Sequence, residues 1–418
     1  MRPLLFLAHR IPYPPDKGDK IRSYHILRYL AERFEVHLGC FTDESADKKY
    51  LPQLREICAE VFCLPLRAGH VATAAMKALV SGRSMSEMYY SDGRMSGWVS
   101  DALQSHSIED IFVFCSAMAP YALPNGSGRR LIVDAVDVDS EKWSAYARSS
   151  SAALRPVFQR ERRQVLALEK RAGEGSDRIL FVSRAEATTF AALVPELDDR
   201  IGWLTNGVDS EYFDPAKVYR NPFRQDELPI VFTGAMDYRA NIEAVEWFSL
   251  SCFPQVRRLH PRAQFWIVGA KPSSAVRHLS EHEGVNVTGA VPDVRPYLSH
   301  AACAVVPLSV ARGIQNKVLE AMAMGKPVVV THGACEGIEA QHGLELLVAT
   351  RSGEFADRVS ETLSGRWPGL GNVARSFVKR RHSWAVNLRV LDDLFLDPDG
   401  ANRISRPKAA KLLPVEFG

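Results

Sequence analysis

The chain has 418 residues, of which 46% are hydrophobic and 24% are charged, and its formal net charge is +3. Two domains are expected, because a chain of this length exceeds what one hydrophobic core usually supports. So small a net charge gives no support for a nucleic-acid partner, and seven scattered cysteines without C-x-x-C spacing predict reduced cytoplasmic thiols rather than disulfides or a metal cage.

The first half of the chain alternates apolar runs with helical patterns. Buried strands are predicted at 4–8, 36–41, 111–114, 131–136, 179–182 and 201–204. This alternation predicts a doubly wound parallel sheet. The run 4–8 is too short, and too soon followed by charges, for a signal peptide. Later apolar runs are also shorter than a membrane span, so any membrane contact is expected to be peripheral. The first turn lacks G-x-G-x-x-G, which disfavours a dinucleotide-binding dehydrogenase.

The pattern from 141 to 173 is helical and strongly basic. Its cations are Arg148, Arg155, Arg160, Arg162, Arg163, Lys170 and Arg171, and its apolar stripe consists of Leu154, Phe158, Val165 and Leu168. The favoured interpretation is a helix that packs on the core and presents a charged outer face. The alternative is attraction to anionic lipid head groups.

A second alternating block follows the stretch 212–228, which carries prolines and charges without periodicity and is predicted as a domain linker. Strands are predicted at 229–234, 265–269, 303–308 and 328–330, with helical patterns at 241–259, 314–324 and 354–395. The basic tail from Asp397 is predicted to be disordered. Two such blocks imply a cleft, and ligands commonly bind in clefts.

The best-defined unit of this block runs from 302 to 331. Its first run, 303–308, is apolar without alternation, which fits a strand buried on both faces. The following helical pattern ends at Gly325, where a left-handed cap belongs, and Pro327 blocks further helix. The unit therefore predicts strand, helix and strand, with polar residues gathered at the carboxyl end of the first strand.

Those polar residues predict a ligand. Asn316 and Lys317 fall in the first helical turn, where free backbone N–H groups and the helix dipole attract an anion. Glu320 lies on the same helical face as Lys317. Lysine suits a diphosphate and glutamate suits ribose hydroxyls, so the pattern predicts a nucleotide-diphosphate site at the carboxyl edge of the sheet. The alternative is a solvated Lys–Glu pair on an ordinary surface helix.

Several ordered motifs accompany this unit. They are the loop with Gly18, the run Asn206-Gly207-Val208-Asp209 with Phe213 and Pro215, Phe232-Thr233-Gly234 leading to Asn241, Gly289 with Val291, Asp293 and Val294, and Leu319-Glu320-Ala321-Met322-Ala323 with Gly325, Pro327 and Val328. In these motifs the chain resembles GT-B glycosyltransferases, most of all family 4 retaining sugar transferases. Within that family it is similar to bacterial sugar transferases associated with exopolysaccharide export systems.

The resemblance implies a GT-B α/β fold of two doubly wound, Rossmann-like domains facing a cleft. The expected parts are an acceptor-side domain at 1–205, a linker at 206–228, a donor domain at 229–375, C-terminal helices at 376–397 that pack back on the first domain, and a tail at 398–418.

The resemblance also implies site residues. Donor-binding candidates are Gly234, Arg239, Asn241, Gly313, Ile314, Gln315, Asn316, Lys317 and Glu320. Catalytic candidates are Lys317, Glu320 and Arg312. Acceptor-side candidates are Gly18, Asp19, Arg22, Asp137 and Asp139. Asp137 and Asp139 imitate a metal-binding D-x-D, but an aspartate cap at a helix start is the favoured interpretation.

The chain departs from the family pattern at two places. The family carries two glutamates separated by seven residues; Glu320 matches the second, and Arg312 stands at the position of the first. The family's arginine and lysine after the donor-domain glycine are replaced by Ala235 and Ala240. Lys317 and Arg239 are then the expected cations for the diphosphate.

The implied activity is that of a hexosyltransferase-type enzyme in exopolysaccharide biosynthesis. It would move a sugar from a nucleotide-diphosphate sugar to a lipid-linked glycan acceptor, with retention and without a metal or other cofactor. A cytoplasmic protein with peripheral contact at the inner membrane and no nucleic-acid partner is expected. Two rival hypotheses are a non-catalytic GT-B binding subunit, suggested by Arg312, and a GT-B nucleotide-sugar 2-epimerase.

Overall fold

The computed structural model describes residues 1–15, 17–66, 70–125, 128–309 and 314–396. They form two compact units, one of Met1–Leu204 with the chain from Leu388 onward, the other of Thr205–Asn387. The predicted tail at 398–418 lies outside the described residues, as do Arg312 and Gly313.

The first unit is built on a parallel sheet. Its strands are β1 (Pro3–Ala8), β2 (Glu35–Thr42), β3 (Glu60–Pro65), β4 (Asp110–Phe114), β5 (Arg130–Val136), β6 (Arg178–Phe181) and β7 (Ile201–Trp203), in the order β3-β2-β1-β4-β5-β6-β7. The six strands predicted here are confirmed, because continuous apolar runs are what a sheet covered on both faces requires. Strand β3 escaped prediction; it is a partly exposed edge strand.

Helices cover both faces of this sheet. They are α1 (Gly18–Ala31), α2 (Leu51–Arg55), α3 (His70–Ser81), α4 (Met85–Tyr89), α5 (Gly93–Ser105), α6 (Ala119–Ala122), α7 (Asp139–Ser149), α8 (Arg155–Glu174) and α9 (Arg184–Leu193). The helical pattern predicted from 141 to 173 is interrupted between α7 and α8, where serines precede Pro156 at the start of α8. Val165 and Leu168 of α8 are buried, whereas Leu154, just before α8, is exposed. The part of α8 around Val165 and Leu168 therefore packs on the core, in agreement with the favoured interpretation.

The second unit repeats the plan. Its strands are β8 (Leu228–Thr233), β9 (Ala263–Val268), β10 (Val285–Gly289), β11 (Cys303–Val306), β12 (Val328–Val330) and β13 (Leu347–Val348), in the order β10-β9-β8-β11-β12-β13 and all parallel. Strands β8 and β11 are neighbours although β9 and β10 lie between them in the chain. Their carboxyl ends therefore form a topological switch point, the place where open α/β sheets bind ligands.

The helices of the second unit follow in chain order. They are α10 (Arg239–Trp247), α11 (Phe253–Leu259), α12 (Ser274–His278), α13 (Arg295–His300), α14 (Asn316–Ala323), α15 (His332–Cys335), α16 (Ser352–Leu363), α17 (Leu370–Arg381) and α18 (Trp384–Asn387). A π-helical turn, Phe248–Cys252, joins α10 to α11, so the helix predicted at 241–259 is continuous and begins two residues earlier than expected.

The segment 206–228, predicted as a linker, lies within the second unit. Phe223 is buried there, with its ring centroid 5.2 Å from that of Trp266 and 5.7 Å from that of Tyr297. The unit boundary falls just before this segment, between Leu204 and Thr205.

The chain returns to the first unit after Asn387. Its last described helix, α19 (Val390–Phe395), places the Phe395 ring 5.6 Å from that of Phe34. Asp392 accepts hydrogen bonds from the Tyr29 hydroxyl at 2.6 Å and from Arg33 Nε at 2.8 Å. Of the helices expected to pack back, α19 therefore belongs to the first unit, while α17 and α18 belong to the second.

Within the described part of the chain, no helix combines the length and the apolar character needed to cross a membrane.

Candidate functional site

The candidate site lies where β8 and β11 end, at the switch point of the second unit. Gly234 follows β8, and the loop after β11 leads into α14. Lys317, in the first turn of α14, reaches toward β8 and donates a hydrogen bond from Nζ to Asn241 Oδ1 at 2.5 Å. The structure thus brings together Gly234, Asn241 and Lys317, which were predicted from two separate motifs.

Helix α14 is anchored by its apolar face. Val318, Leu319 and Met322 are fully buried. Gln315 occupies the N-cap position in an extended conformation and makes no side-chain capping hydrogen bond. At the other end, Gly325 (φ +67°) donates to the Met322 carbonyl and the next amide donates to the carbonyl of residue 321, which is a Schellman motif. The predicted helix end is confirmed, and the helix starts at Asn316 rather than Ile314.

The Lys317 ammonium lies in a confined space. It sits 4.6 Å from the centre of the Phe232 ring, a cation–π contact. A Cβ atom at Gly234 would come within 2.8 Å of Asn241 Nδ2 and 3.2 Å of Lys317 Nζ. A Cβ at Gly269, which follows β9, would lie 1.7 Å from the Gly234 carbonyl oxygen. Both glycines are therefore required if the strand ends are to approach each other and leave room for the lysine.

The pair Lys317 and Glu320 is only half-buried by surface area, yet its setting disfavours charge. Burial lowers the pKa of Lys317 to about 8, against the opposing influence of the Glu320 carboxylate. Burial raises the pKa of Glu320 to about 7, with the Lys317 charge acting in the other direction. Ionisable side chains whose charged forms are disfavoured by burial are typical of functional sites. A bound ligand offsets this free-energy cost when it supplies a negative charge near the lysine and hydroxyl donors for the glutamate.

The N-G-V-D motif supports the start of α14. Asn206 donates from Nδ2 to Asn316 Oδ1 at 3.3 Å, and its carbonyl accepts from Asn387 Nδ2 at 3.0 Å. A Cβ at Gly207 would lie 2.5 Å from the backbone nitrogen of Trp384. Asp209 holds the next turn by accepting from the amides of residues 211 and 212. The motif is thus a structural brace for the first turn of α14.

A second cluster that sequence reasoning missed is centred on Arg295. Asp293 Oδ2 lies 2.8 Å from Arg295 Nη2, and the guanidinium stacks over the Tyr212 ring at 3.7 Å. Burial raises the pKa of Tyr212, and the charges of Asp293 and Glu320 add to that rise. Asp293 belongs to the motif that begins at Gly289, so that motif could have indicated this cluster. No sequence pattern marks Tyr212 as the stacking partner of Arg295.

The other donor-side candidates are placed as follows. Arg239 is exposed, and its Nε donates to Glu243 at 2.7 Å. Ile314 is buried in the core of the second unit. Arg312 and Gly313 lie outside the described residues.

Comparison with known proteins agrees with this geometry. Residues 227–365, which include β8 and α14, match the family model described as glycosyl transferases group 1. The fold is GT-B. Solved structures similar to the chain include HepE of Anabaena in complex with UDP and glucose, at 13% identity and a TM-score of 0.65, covering 94% of this chain and 99% of that one.

Two further solved structures are similar over nearly the whole chain. Sucrose-phosphate synthase from Thermosynechococcus elongatus shares 15% identity at a TM-score of 0.66, with 95% of this chain and 98% of that one covered. WaaG, a glycosyltransferase involved in lipopolysaccharide biosynthesis, shares 16% identity at a TM-score of 0.62, with 94% and 99% covered. No curated protein sequence matches the chain. The predicted GT-B fold is confirmed.

In the first unit of this GT-B chain, the acceptor-side candidates Gly18, Asp19 and Arg22 follow β1. Gly18 opens α1, and Asp19 lies in its first turn. Asp19 Oδ2 is 2.6 Å from Arg10 Nη1 and 3.4 Å from His9 Nε2. Burial acts to raise the pKa of Asp19, but the His9 hydrogen bond and the Arg10 charge outweigh it and hold that pKa well below its usual range.

Arg22 has a structural role in this unit. Its guanidinium binds Asp134 of β5 through two hydrogen bonds, Nε–Oδ2 at 2.8 Å and Nη2–Oδ1 at 3.0 Å. Both side chains are buried, with exposed fractions of 1% and 0%. Losing either partner would leave an uncompensated buried charge, so Arg22 fixes α1 on the sheet instead of facing solvent.

Asp137 and Asp139 lie after β5, partly exposed, and α7 begins at Asp139. Val138 occupies the cap position, so the interpretation of the two aspartates as a helix cap is wrong. Carboxylates from other helices accept hydrogen bonds from backbone amides at the start of α7. Ser140 N donates to Glu169 at 3.1 Å, and Val138 N donates to Glu186 at 2.8 Å.

The environment of these aspartates disfavours their charged forms. Burial, with the charges of Glu186 and Asp139, raises the pKa of Asp137 to about 6. Burial raises the pKa of Asp139, with Lys142 and His9 opposing it. Both aspartates remain open to solvent in part, so they stay candidates for contact with an acceptor.

Proposed function

We propose that this chain is a retaining, metal-independent glycosyltransferase of the hexosyltransferase type, using a nucleotide-diphosphate sugar as donor. The observation that carries the proposal is the position of Lys317. Its Nζ lies 2.5 Å from Asn241 Oδ1 at the switch point, in the first turn of α14 and inside the segment that matches glycosyl transferases group 1. A cation and a helix N-terminus together suit a diphosphate.

Catalysis in this proposal consists of stabilising the leaving group. As the glycosidic bond breaks, negative charge develops on the nucleoside diphosphate, and the Lys317 ammonium with the first amides of α14 are held ready to receive it. Glu320, one turn deeper, accepts hydrogen bonds from the ribose hydroxyls. The departing phosphate takes the acceptor proton, so the mechanism requires no separate base and no metal.

HepE, similar in fold, has been solved with UDP and glucose and with UDP-glucose, so UDP-glucose is the first donor to test. The experiment is turnover of UDP-, GDP- and dTDP-hexoses with a polyprenyl-linked glycan acceptor, in the presence of EDTA. Transfer with retention supports the proposal. Binding without turnover would favour a non-catalytic binding subunit, and release of free epimer without an acceptor would favour a 2-epimerase.

Donor affinity is expected to be highest between pH 7 and pH 8. Burial raises the pKa of Glu320 to about 7, so below that pH the carboxylate is protonated and is a weaker acceptor. Burial lowers the pKa of Lys317 to about 8, so above that pH the ammonium charge is lost. Calorimetric titration with UDP-glucose, whose phosphates do not titrate in this range, tests this between pH 6 and 9. Affinity that does not change with pH would contradict it.

We also propose that the acceptor is lipid-linked, in an exopolysaccharide pathway, and that the first unit docks on an anionic membrane surface from the cytoplasmic side. Helix α3 supports this, because it exposes an apolar face of Val71, Met76, Leu79 and Val80, whose exposed fractions are 61%, 67%, 69% and 84%. Arg160 of α8 donates to the carbonyl of residue 78 at 2.7 Å, which places this arginine beside α3. Apolar side chains next to a basic residue suit anionic lipid head groups.

Vesicle binding tests this surface. We expect Val80→Glu to reduce cosedimentation with phosphatidylglycerol vesicles at least about tenfold, because the lost burial and the added repulsion both oppose docking. Val218→Glu is the matched control, since Val218 is 99% exposed in the second unit. Equal binding by the wild type and Val80→Glu would exclude α3 as the docking helix.

A further inference from the structure

Three metal-ligating side chains meet at the amino edge of the first sheet, away from the carboxyl ends that carry the candidate residues described above. His37 is in the first half of β2, Glu60 begins β3, and His106 directly follows α5. The parallel register pairs His37 with Glu60. His37 and Glu60 are 23 residues apart in the chain, so no short sequence motif contains both.

We propose that His37, Glu60 and His106 form a binding site for a divalent transition-metal ion of the zinc, nickel or copper class. Glu60 Oε2 lies 3.2 Å from His37 Nδ1 and 3.8 Å from His106 Nε2. All three ligand atoms lie within 4.8 Å of one another. Two imidazoles and one carboxylate form a ligand set that favours borderline metal ions over magnesium or calcium.

The two imidazoles lie side by side, with ring centroids 4.1 Å apart and planes inclined by 34°. His37 is buried, with 2% of its surface exposed, whereas the side chains of Glu60 and His106 are 41% and 44% exposed. An ion can therefore enter from solvent and still bind to one ligand that the sheet holds rigid.

The carboxylate is oriented by a neighbour, as metal ligands usually are. Trp98 of α5 donates from Nε1 to Glu60 Oε1 at 2.8 Å, which leaves Oε2 facing the histidines. The indole stacks on Phe62 with centroids 5.1 Å apart and planes inclined by 9°. Gly39 makes room for it, because a Cβ there would lie 2.6 Å from Trp98 Cζ3.

An ordinary ion pair is the competing explanation, and its chemistry differs. A single neutral imidazole can donate one N–H to the Glu60 carboxylate, so an ordinary pair needs no second histidine. A metal ion instead binds a ring nitrogen from each of the two imidazoles together with one carboxylate oxygen. The two explanations therefore differ in whether His106 is required.

A bound ion would join β2, β3 and α5 and leave coordination positions for water. With three ligands from the chain, the site would be open, so it could also accept an exogenous ligand. Its expected effect is stabilisation of the first unit, because an ion that binds only the folded chain raises the melting temperature. The proposal does not depend on sugar transfer, which should continue after chelation.

The test is calorimetric titration of the full chain, without a polyhistidine tag and after EDTA treatment, with ZnCl2, NiCl2 and MgCl2. We expect one equivalent of zinc or nickel and no magnesium. His106→Ala and Trp98→Phe should each weaken zinc binding at least about tenfold, the first by removing a ligand and the second by releasing Glu60. His282→Ala, at an exposed histidine of the second unit, should change nothing.

Cobalt absorption separates direct coordination from nonspecific binding. Addition of CoCl2 should produce a visible d–d band in the wild type and in His282→Ala, and not in His106→Ala. Absence of zinc binding, equal binding of magnesium, or unchanged affinity in His106→Ala would overturn the proposal. His106 is half-exposed after the end of α5, so its replacement is not expected to unfold the chain.

Discussion

Replacement of Glu320 by alanine is expected to weaken nucleotide binding by about ten- to a hundred-fold while the fold persists. A hydrogen bond to a charged carboxylate contributes about 1.5–3 kcal/mol, and that carboxylate is the proposed partner of the ribose hydroxyls. The fold should persist because burial already disfavours the charged form of Glu320, whose pKa is raised to about 7. Calorimetry measures the affinity, with whichever of UDP, GDP and dTDP most raises the melting temperature.

The matched control is Glu336→Ala, which removes an exposed glutamate from the same unit. Its nucleotide affinity should equal that of the wild type. Unchanged affinity in Glu320→Ala, with a normal melting temperature, would refute the ribose assignment and leave Glu320 as an ordinary helix residue.

Replacement of Lys317 by methionine is expected to lower kcat by about 10²- to 10³-fold. Methionine keeps an unbranched apolar side chain of similar length, while the ammonium charge over the Phe232 ring is lost. Loss of one preorganised donor at a developing negative charge has about this effect. Donor affinity should also weaken, and its decline above pH 8 should disappear, because Lys317 is the group whose lowered pKa causes it.

Lys217→Met serves as the comparison, since Lys217 is an exposed lysine of the same unit. Steady-state kinetics with a saturating acceptor separates kcat from KM. If Lys317→Met kept a kcat within about threefold of the wild type, the diphosphate could not be leaving against this lysine.

Much of the donor-side unit was predictable from local sequence. The run 303–308, the helical periodicity after Gln315 and Gly325 each encode their structure locally, through continuous burial, helical spacing and a left-handed cap. The placement of Lys317 and Glu320 on one helical face follows from the same spacing.

Contacts across the sheet were not predictable in this way. That Lys317 lies over Phe232 depends on β8 pairing with β11, which only the strand order provides. Arg22 was expected near an acceptor, but Asp134, 112 residues away, holds it inside the core. The α7 cap was misassigned for the same reason, since the groups that hold its amides, including Glu169, come from other helices.

Edge elements and long-range clusters were also missed. Strands β3, β10 and β13 are partly exposed or short, so their patterns carry little of the continuous burial that marks a central strand. The trio of His37, Glu60 and His106 is assembled by strand register and the end of α5, and each residue by itself is unremarkable in the sequence.

A crystal structure of the chain with bound UDP tests the proposed donor site most directly. The diphosphate should lie about 3 Å from Lys317 Nζ and from the first backbone amides of α14, with both ribose hydroxyls on Glu320. A nucleotide bound elsewhere, or one at this site whose diphosphate points away from Lys317, would contradict it.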